Sequence, residues 1–433
     1  MPSMSSKDFF ATWKHSLSAD FQQDNVPAES SNWVTETTKI PTNGDPKVIA
    51  LSDDKSLLAA GIGHQVYVYD VPTLKLIRTL QGHVGHTTSR LDFQPGGRKI
   101  AASSERRSGK LESFVRILDL DEPVEHAQYL DEATEAAVSA ASSVLLHHWS
   151  KEDLQGIDLQ TGIAEILATG HVAVEERNGR LFRGRFPSFD SCPFSHDGRT
   201  LLFCPDRNDI VVLDVDTLKQ RFHLTGHTDG IMWAETSPDD TIIATSSWDR
   251  TVRLWSIDSG EPIRVLEGAT GQSWGGAFSP DGALVAAGSG DQHVRIWRVE
   301  TGELLHKLGG FTQWIRSLSF SPDNAHLAAG AAGGTLRVFD VQSGECEQNW
   351  QVDTSTSQFV RSFVEISGVQ YTYRGDLFFT SSEGRVFGYR AADNVKWESG
   401  EMARYVKFRV SKDGTMLVGA LRDGAGVGIW KID

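Results

Sequence analysis

Histidine and carboxylate side chains that could do acid–base chemistry occur in this sequence, without the longer motifs that enzymes build around them. His227 and Asp249 have the residue types of a catalytic pair, in which a carboxylate orients an imidazole. The sequence has no Gly-x-x-x-x-Gly-Lys-Ser/Thr loop for phosphates and no His-Glu-x-x-His for zinc. His147 and His148 are neighbours on a predicted helix, so their side chains point apart and do not chelate one metal. We therefore expect no catalytic residue, no metal ion and no cofactor.

The composition argues against several other classes of protein. The 57 acidic residues exceed the 42 basic ones, which gives a formal charge of −15 and argues against a protein that coats nucleic acid. No apolar stretch reaches the roughly 18 residues of a membrane span. Three cysteines are too few for a disulfide framework. We expect a soluble cytoplasmic protein, with a nuclear location as the alternative.

Two of the three cysteines lie on either side of one turn. Cys192 and Cys204 lie on the strands around residues 196–199, and a register that pairs Phe194 with Leu202 would place them opposite each other. We predict that both are small buried thiols, as is usual in a reducing compartment. A disulfide between them is the alternative.

One pattern of strands and turns recurs along the chain. An apolar strand leads to a Ser-Pro-Asp-Gly-like turn, an Ala- and Leu-rich strand, a Gly/Asp turn and a Val-Arg-Ile-Trp-like strand. The last large residue of the copies falls at Tyr69, Leu118, Leu213, Trp255, Trp297, Phe339, Tyr389 and Trp430. The spacings are 49, 95, 42, 42, 42, 50 and 41 residues. A period of about 40–45 residues with four short strands is typical of propeller blades.

These residues resemble the WD40 repeat over roughly residues 45–130 and 186–433, and the chain is similar in overall character to fungal WD40 proteins. The resemblance rests on two Gly-His pairs, on the Ser-Pro-Asp-Gly turns and on Leu-Asp or Phe-Asp strand ends. It implies an all-β propeller. It also implies that His227, Thr245, Asp249 and Trp255 form the family's structural tetrad, a hydrogen-bonded chain inside one blade. That role makes a catalytic pairing of His227 with Asp249 the weaker interpretation.

Eight strand ends predict eight blades in a single domain over residues 31–433, preceded by an N-terminal segment over residues 1–30. Seven blades would require discarding a clear copy, and nine would require counting residues 157–162, which lack a preceding Ser-Pro-Asp-Gly hairpin. The chain stops soon after Trp430, so the last blade needs an outer strand from elsewhere. The alternating, β-branched segment Ser31–Ile40 is predicted to supply it and to close the ring.

Two irregular parts interrupt or precede the repeat. The spacing of 95 residues predicts a helical insertion at about residues 131–185, with a last helix over Ile163–Glu176 followed by solvated arginines. We place the insertion between the outer strand of one blade and the inner strand of the next, where it could act as a lid. In the N-terminal segment, a short amphipathic stripe is formed by Phe9, Phe10, Trp13 and Leu17.

Aromatic and cationic residues cluster at turns and strand starts that the family geometry directs toward the top face of the propeller. Such side chains dominate the binding energy of protein interfaces. The candidate partner-binding residues are Trp248, Trp274, Arg316, Trp233, Trp314, Arg90 and Arg361. We predict a non-enzymatic interaction scaffold that binds a protein or peptide on this face. The alternative is a small-molecule-binding or enzymatic propeller whose insertion closes over the central opening.

Overall fold

The computed structural model describes residues 34–42, 44–81, 86–106, 112–121, 173–176, 179–187, 191–351, 365–382, 384–392, 395–399, 408–421 and 426–433. The regular elements in these ranges are all β-strands, arranged in eight antiparallel sheets. No helix suited to crossing a membrane occurs within these ranges. The N-terminal segment and the predicted helices up to residue 172 lie outside the described residues.

The first strand of the chain, β1 (Val34–Ile40), belongs to the last sheet, and the sheets otherwise follow chain order. Blade 1 contains β2 (Val48–Leu51), β3 (Leu57–Ile62), β4 (Gln65–Asp70) and β5 (Lys75–Gln81). Blade 2 contains β6 (Thr87–Phe93), β7 (Lys99–Arg106), β8 (Glu112–Asp119), β9 (Ala173–Glu176) and β10 (Gly179–Arg183). Blade 3 contains β11 (Thr200–Phe203), β12 (Ile210–Asp214) and β13 (Gln220–Leu224). Blade 4 contains β14 (Ile231–Thr236), β15 (Ile242–Ser247), β16 (Val252–Ser256) and β17 (Pro262–Leu266).

The second half of the ring is more regular. Blade 5 contains β18 (Ser273–Phe278), β19 (Leu284–Ser289), β20 (Val294–Arg298) and β21 (Leu304–Leu308). Blade 6 contains β22 (Ile315–Phe320), β23 (His326–Ala331), β24 (Thr335–Asp340) and β25 (Cys346–Gln351). Blade 7 contains β26 (Ile366–Tyr371), β27 (Leu377–Ser381), β28 (Val386–Arg390) and β29 (Val395–Ser399). Blade 8 contains β30 (Arg409–Val410), β31 (Met416–Ala420), β32 (Val427–Ile432) and β1.

Neighbouring blades pack face to face, and the apolar core is divided among the spaces between them. Each of the eight residues that end the sequence repeat lies in a different sheet, so the predicted count of eight is confirmed. Seven lie on the third strand counted from the inner one, and Leu213 lies on β12 of the three-stranded blade 3. Alanines in the second strands, such as Ala286 and Ala328, are fully buried and have little side-chain volume. They leave room for larger residues from the adjoining blade, which is how flat sheets reach close packing.

The Ser-Pro-Asp-Gly turns form between the first and second strands because their side chains satisfy the turn's own backbone. In blade 5, Ser279 Oγ donates to Asp281 Oδ1 at 2.6 Å and accepts from the Leu284 amide at 2.9 Å. Gly282 adopts φ +72°, a left-handed conformation that glycine enters without strain. Asn324 and Asp240 take the same conformation in the next and preceding blades, which explains why these residue types replace glycine there.

The outer edge of blade 8 is formed by the N-terminal strand. β1 runs antiparallel to β32, from the pair Val34 and Ile432 to the pair Ile40 and Val427. Ile40 is fully buried and Thr37 Oγ1 donates to the Ile429 carbonyl at 3.0 Å. The first and last parts of the described chain therefore share one sheet.

The insertion lies elsewhere in the repeat than the sequence predicted. β10, which follows it, pairs with β8 as the fourth strand of blade 2, and β9 pairs outside β10. The extra residues therefore join the third strand of blade 2 to that blade's own outer strands. The placement between an outer and an inner strand was wrong, because β8 and β10 pair across a long stretch of chain. Ala173–Glu176 is a strand, so the predicted helix over Ile163–Glu176 is wrong for these residues.

The chain passes from blade 2 into blade 3 through Gly184. A Cβ atom there would lie 2.4 Å from the Cys204 carbonyl oxygen, so a side chain is excluded. Arg185 then forms a bridge with Cys204, and its guanidinium donates to the Ile231 carbonyl at 2.8 Å. Arg185 is one of the arginines after the insertion that were predicted to be solvated, and for this residue the prediction was wrong.

The hairpin of blade 3 has a different register from the one predicted. Phe194 bridges Leu201 rather than Leu202, and Cys204 faces Arg185 rather than Cys192. Both cysteines carry free thiols. Burial raises the pKa of the Cys192 thiol to about 12 and that of Cys204 to about 11, so both stay protonated near neutral pH.

Candidate functional site

One face of the ring, here called the upper face, is defined by the turns between second and third strands and by the starts of the inner strands. Backbone hydrogen bonds tie these two kinds of segment together: the Trp248 amide donates to the Gly230 carbonyl at 2.9 Å, and the Ala332 amide to the Trp314 carbonyl at 3.0 Å. Side chains of these segments are therefore held on a fixed frame, which favours binding with little loss of entropy.

Three tryptophans from consecutive blades form a continuous row on this face. The rings of Trp248 and Trp274 have centroids 5.2 Å apart and cross at 61°, while those of Trp274 and Trp314 are 6.4 Å apart and within 22° of parallel. Trp314 is 37% exposed, and the other two are partly exposed. We call these three residues the indole row.

Two arginines stack on the indole row. Arg316 places its guanidinium carbon 5.3 Å from the centre of the Trp274 ring, and Arg207 lies 4.7 Å from the centre of Trp248. Such contacts are worth about 0.5–1 kcal/mol at exposed sites and more when desolvated. Sequence reasoning missed Arg207, although it lies in the blade 3 turn that corresponds to the Trp248 turn in blade 4. That shared turn position could have revealed it.

Each of the two arginines that stack on the indole row also pairs with a carboxylate. Arg316 Nη1 lies 2.7 Å from Glu365 Oε1, and Arg207 Nη2 lies 3.2 Å from Asp229 Oδ1. The Arg316 pair is largely covered, with side-chain exposures of 30% and 20%. The local charge is therefore more balanced than the sequence alone indicated, and the aromatic surface becomes the dominant chemical feature.

The four predicted tetrad residues form one hydrogen-bond chain inside blade 4. His227 Nδ1 lies 2.7 Å from Asp249 Oδ2, and His227 Nε2 lies 2.7 Å from Thr245 Oγ1. The Trp255 indole donates to the same Thr245 hydroxyl at 3.0 Å. Burial would raise the pKa of Asp249, but hydrogen bonds from His227 and Thr251 hold it well below its usual range. With the imidazole 1% exposed, the chain has the burial of a structural network.

Blade 5 replaces this chain with an ion pair. Ala269 stands where blade 4 has His227, and Arg295 from the third strand occupies the space, with Nη2 2.7 Å from Asp291 Oδ2. Asp291 also accepts from the Thr270 amide at 2.9 Å. The aspartate of the turn is thus kept while its buried partner changes from imidazole to guanidinium.

Two predicted partner-binding residues do not reach the surface, and a third lies outside the described residues. Trp233 is 1% exposed and packs in the core, where Gly276 makes room: a Cβ there would lie 2.5 Å from its ring. Arg90 is 7% exposed, and its Nε lies 3.0 Å from Asp92 Oδ2. Both predictions were wrong because these residues sit one position further along the inner strand than Arg316 and Trp274, so they point toward a neighbouring blade. Arg361 is the one outside the described residues.

The start of β18 carries a further motif, Gly-Gln-Ser-Trp-Gly over residues 271–275. Its pattern matches the nucleophile turn of hydrolases. Ser273 is 2% exposed and begins a β-strand, whereas a nucleophile turn joins a strand to a helix and exposes the serine. Its geometry therefore does not fit that role.

One cluster in the described residues brings possible metal ligands within 4.8 Å of one another: His326, Asp340 and Glu347. Their atoms already have protein partners. His326 Nε2 lies 3.1 Å from Glu347 Oε2, and Asp340 Oδ1 accepts from the Ser343 amide and hydroxyl at 2.6 and 2.7 Å. The cluster is explained as a surface hydrogen-bond network between three strands.

The eight antiparallel sheets, each of three to five strands, define the chain as a β-propeller, and comparison with known proteins narrows the class. A model of the WD domain, G-beta repeat, matches residues 218–256, 260–298 and 302–340. Each match runs from an outer strand through the third strand of the following blade. Three consecutive WD40 repeats therefore cover residues 218–340, which lie mainly in blades 4 to 6 of this propeller.

Curated relatives share this repeat at low identity. The transcriptional corepressor LEUNIG_HOMOLOG of Arabidopsis thaliana is 25% identical over 51% of this chain and 26% of its own length. Protein HIR1 of Gibberella zeae is 22% identical over 58% of this chain and 22% of its own. The eukaryotic translation initiation factor 3 subunit I of Aspergillus oryzae is 34% identical over 20% of this chain and 26% of its own. The matched part thus spans about a quarter of each relative.

Proposed function

We propose that this protein is a non-enzymatic interaction scaffold that binds a protein segment on the upper face, across the indole row and Arg316. The observation that carries the proposal is the row itself: three indoles from consecutive blades in mutual contact, partly exposed and stacked with two guanidinium groups. Tryptophan and arginine are the residue types most enriched among interface hot spots.

The chemistry of the row indicates what the partner segment offers. The indole faces give a flat apolar surface suited to aliphatic or aromatic side chains. Because Glu365 and Asp229 already pair with the arginines, an acidic group of the partner would compete with them. The proposed partner is therefore mainly apolar with an acidic flank, and most of its binding energy comes from stacking rather than from charge.

The family relatives support the general role. One is named a corepressor and another a subunit of a translation initiation factor, and both names describe proteins that work with other proteins. The relatives do not name a partner for this chain. The rival proposal, a ligand-binding propeller with the insertion as a lid, loses its positional support, because the insertion joins strands within blade 2 and not the upper-face loops.

The test is a comparative affinity purification from the native source. Wild-type protein and the Trp248→Ala/Arg316→Ala variant serve as baits, with Tyr373→Ala as the matched control. Tyr373 is 68% exposed in a turn on the opposite face. A direct partner should be recovered by wild type and by the control and lost with the double variant. Recovery that is equal for all three baits would refute the proposed surface.

A further inference from the structure

Each blade has one residue that lies two positions before the first residue of the turn that follows its innermost segment. In chain order these residues, which we call the tier, are Ala50, Asp92, Pro193, Glu235, Ala277, Ser319, Gln370 and Arg409. Blades 6 to 8 thus present a hydroxyl, an amide and a guanidinium in succession.

Arg409 reaches past blade 1 to blade 2. Its Nη2 lies 3.4 Å from Asp92 Oδ1, although the inner strand of blade 1 stands between the inner strands that carry them. The tier position of blade 1 is Ala50, whose small side chain occupies little of that space. The pair therefore spans the inside of the ring.

The guanidinium of Arg409 is poorly satisfied by the protein. It has five N–H donors. Its contacts are the long one to Asp92 and a second at 3.5 Å to the Phe408 carbonyl. Asp92 is bound more closely by Arg90, at 3.0 Å. Burial lowers the pKa of Arg409, Arg90 adds to the decrease and Asp92 opposes it. The side chain is nevertheless 22% exposed and is therefore not sealed off from solvent.

We propose that Arg409 is the anchor of a binding site for a small oxyanion, a carboxylate or a phosphate, on the inside of the ring. A planar guanidinium binds such groups through two parallel hydrogen bonds. The two contacts that Arg409 makes are 3.4 and 3.5 Å long, so its N–H groups can still donate to an oxyanion. The tier residues of the two preceding blades, Gln370 and Ser319, are of the types that donate further hydrogen bonds to an oxyanion. Cys192, also near Arg409, is a neutral thiol and adds no opposing charge.

The site is tested by calorimetric titration of the full chain with inorganic phosphate and, separately, with citrate at constant ionic strength. The two arms distinguish a phosphate site from a carboxylate site. We expect one or both to bind, and Arg409→Gln to weaken binding by at least about tenfold through loss of the charged fork. Arg98→Gln is the matched control, because Arg98 is an exposed arginine paired with Asp121 on the surface.

A second variant, which is expected to strengthen binding, separates loss of the site from loss of the fold. Asp92→Asn removes the carboxylate that faces the site, so binding should become tighter by about threefold or more because a repulsive charge is lost. Absence of binding in both arms, equal binding by wild type and Arg409→Gln, an equal loss in Arg98→Gln, or no gain in a folded Asp92→Asn would each overturn the proposal.

Discussion

The rings of Trp248 and Trp274 touch at a centroid distance of 5.2 Å, although one belongs to a turn of blade 4 and the other to the inner strand of blade 5. The contact joins two structurally different positions of the repeat across a blade boundary. Ser246 reinforces it, since its hydroxyl donates to the Trp274 carbonyl at 2.6 Å. The indole row is therefore a product of the ring, and its continuity depends on how adjacent blades are placed.

The Trp248→Ala/Arg316→Ala variant should lose at least about 2 kcal/mol of binding free energy for a partner segment, because it removes one end of the row and the cation over its centre. Calorimetry with the purified segment measures the loss. Circular dichroism should show an intact fold, and Tyr373→Ala should bind like wild type. Unchanged affinity of the double variant contradicts the proposed surface.

Replacing Glu365 with Gln should favour an acidic partner. The change removes the carboxylate that lies 2.7 Å from Arg316 Nη1, so the guanidinium no longer exchanges one anion for another on binding. We expect a two- to tenfold gain in affinity, about 0.4–1.4 kcal/mol, that shrinks as salt is raised. A segment whose acidic residues are replaced by their amides is the control, and it should show no gain. Weaker binding of the acidic segment would argue against an acidic flank.

His227→Ala should destabilise the protein by about 1–3 kcal/mol, because Asp249 and Thr245 lose buried hydrogen-bond partners. Denaturant unfolding measures the change. Partner binding by the folded fraction should be unaffected, since the tetrad is buried in blade 4. His64→Ala, in the partly exposed turn after β3, serves as the control and should have little effect. A variant of normal stability that has lost its function would overturn the structural role of His227.

Removal of residues 1–40 should open the ring. The truncation deletes β1, exposes the edge of β32 and uncovers apolar residues that Val34 and Ile40 pack against. An unpaired edge strand promotes aggregation. We expect a lower melting temperature and aggregation in light scattering, whereas a chain that begins at Val34 keeps the strand and should remain monodisperse. Equal melting of the 1–40 truncation and wild type would contradict this role of β1.

Glu235 should make stability fall as the pH rises toward neutrality. Burial raises its pKa to about 7 from an ordinary 4.5, with smaller opposing effects from His196 and Trp233. Between these two values the folded state holds a proton that the unfolded state has released, so raising the pH removes stability and the loss is complete above about pH 7. In Glu235→Gln the melting temperature should change less with pH over this window, and the difference from wild type should be about a few degrees. The same pH slope in the variant and in wild type would exclude Glu235 as the cause.

Much of the fold was set by the sequence alone. Apart from the pairs β1–β32 and β8–β10, the hydrogen bonds of a blade join strands that are neighbours in the chain. The turn residues Ser279, Asp281 and Gly282 satisfy their own backbone. Local information of this kind repeats with each blade, so the eight strand ends of the repeat were enough to predict eight blades. The tetrad was predicted from the resemblance to the WD40 repeat, and its four members lie within one repeat.

The tertiary structure decided what the local pattern could not. Trp233 and Trp274 are both tryptophans at the start of an inner strand, yet a shift of one residue directs the first into the core and the second toward the surface. Side chains alternate between the two faces of a strand, so the register, which is fixed by packing between blades, determines exposure. The insertion was misplaced because β8 and β10 pair across a long stretch of chain. Arg409 and Asp92 meet only because the ring closes. They are 317 residues apart in the sequence, so the local repeat pattern does not predict their contact.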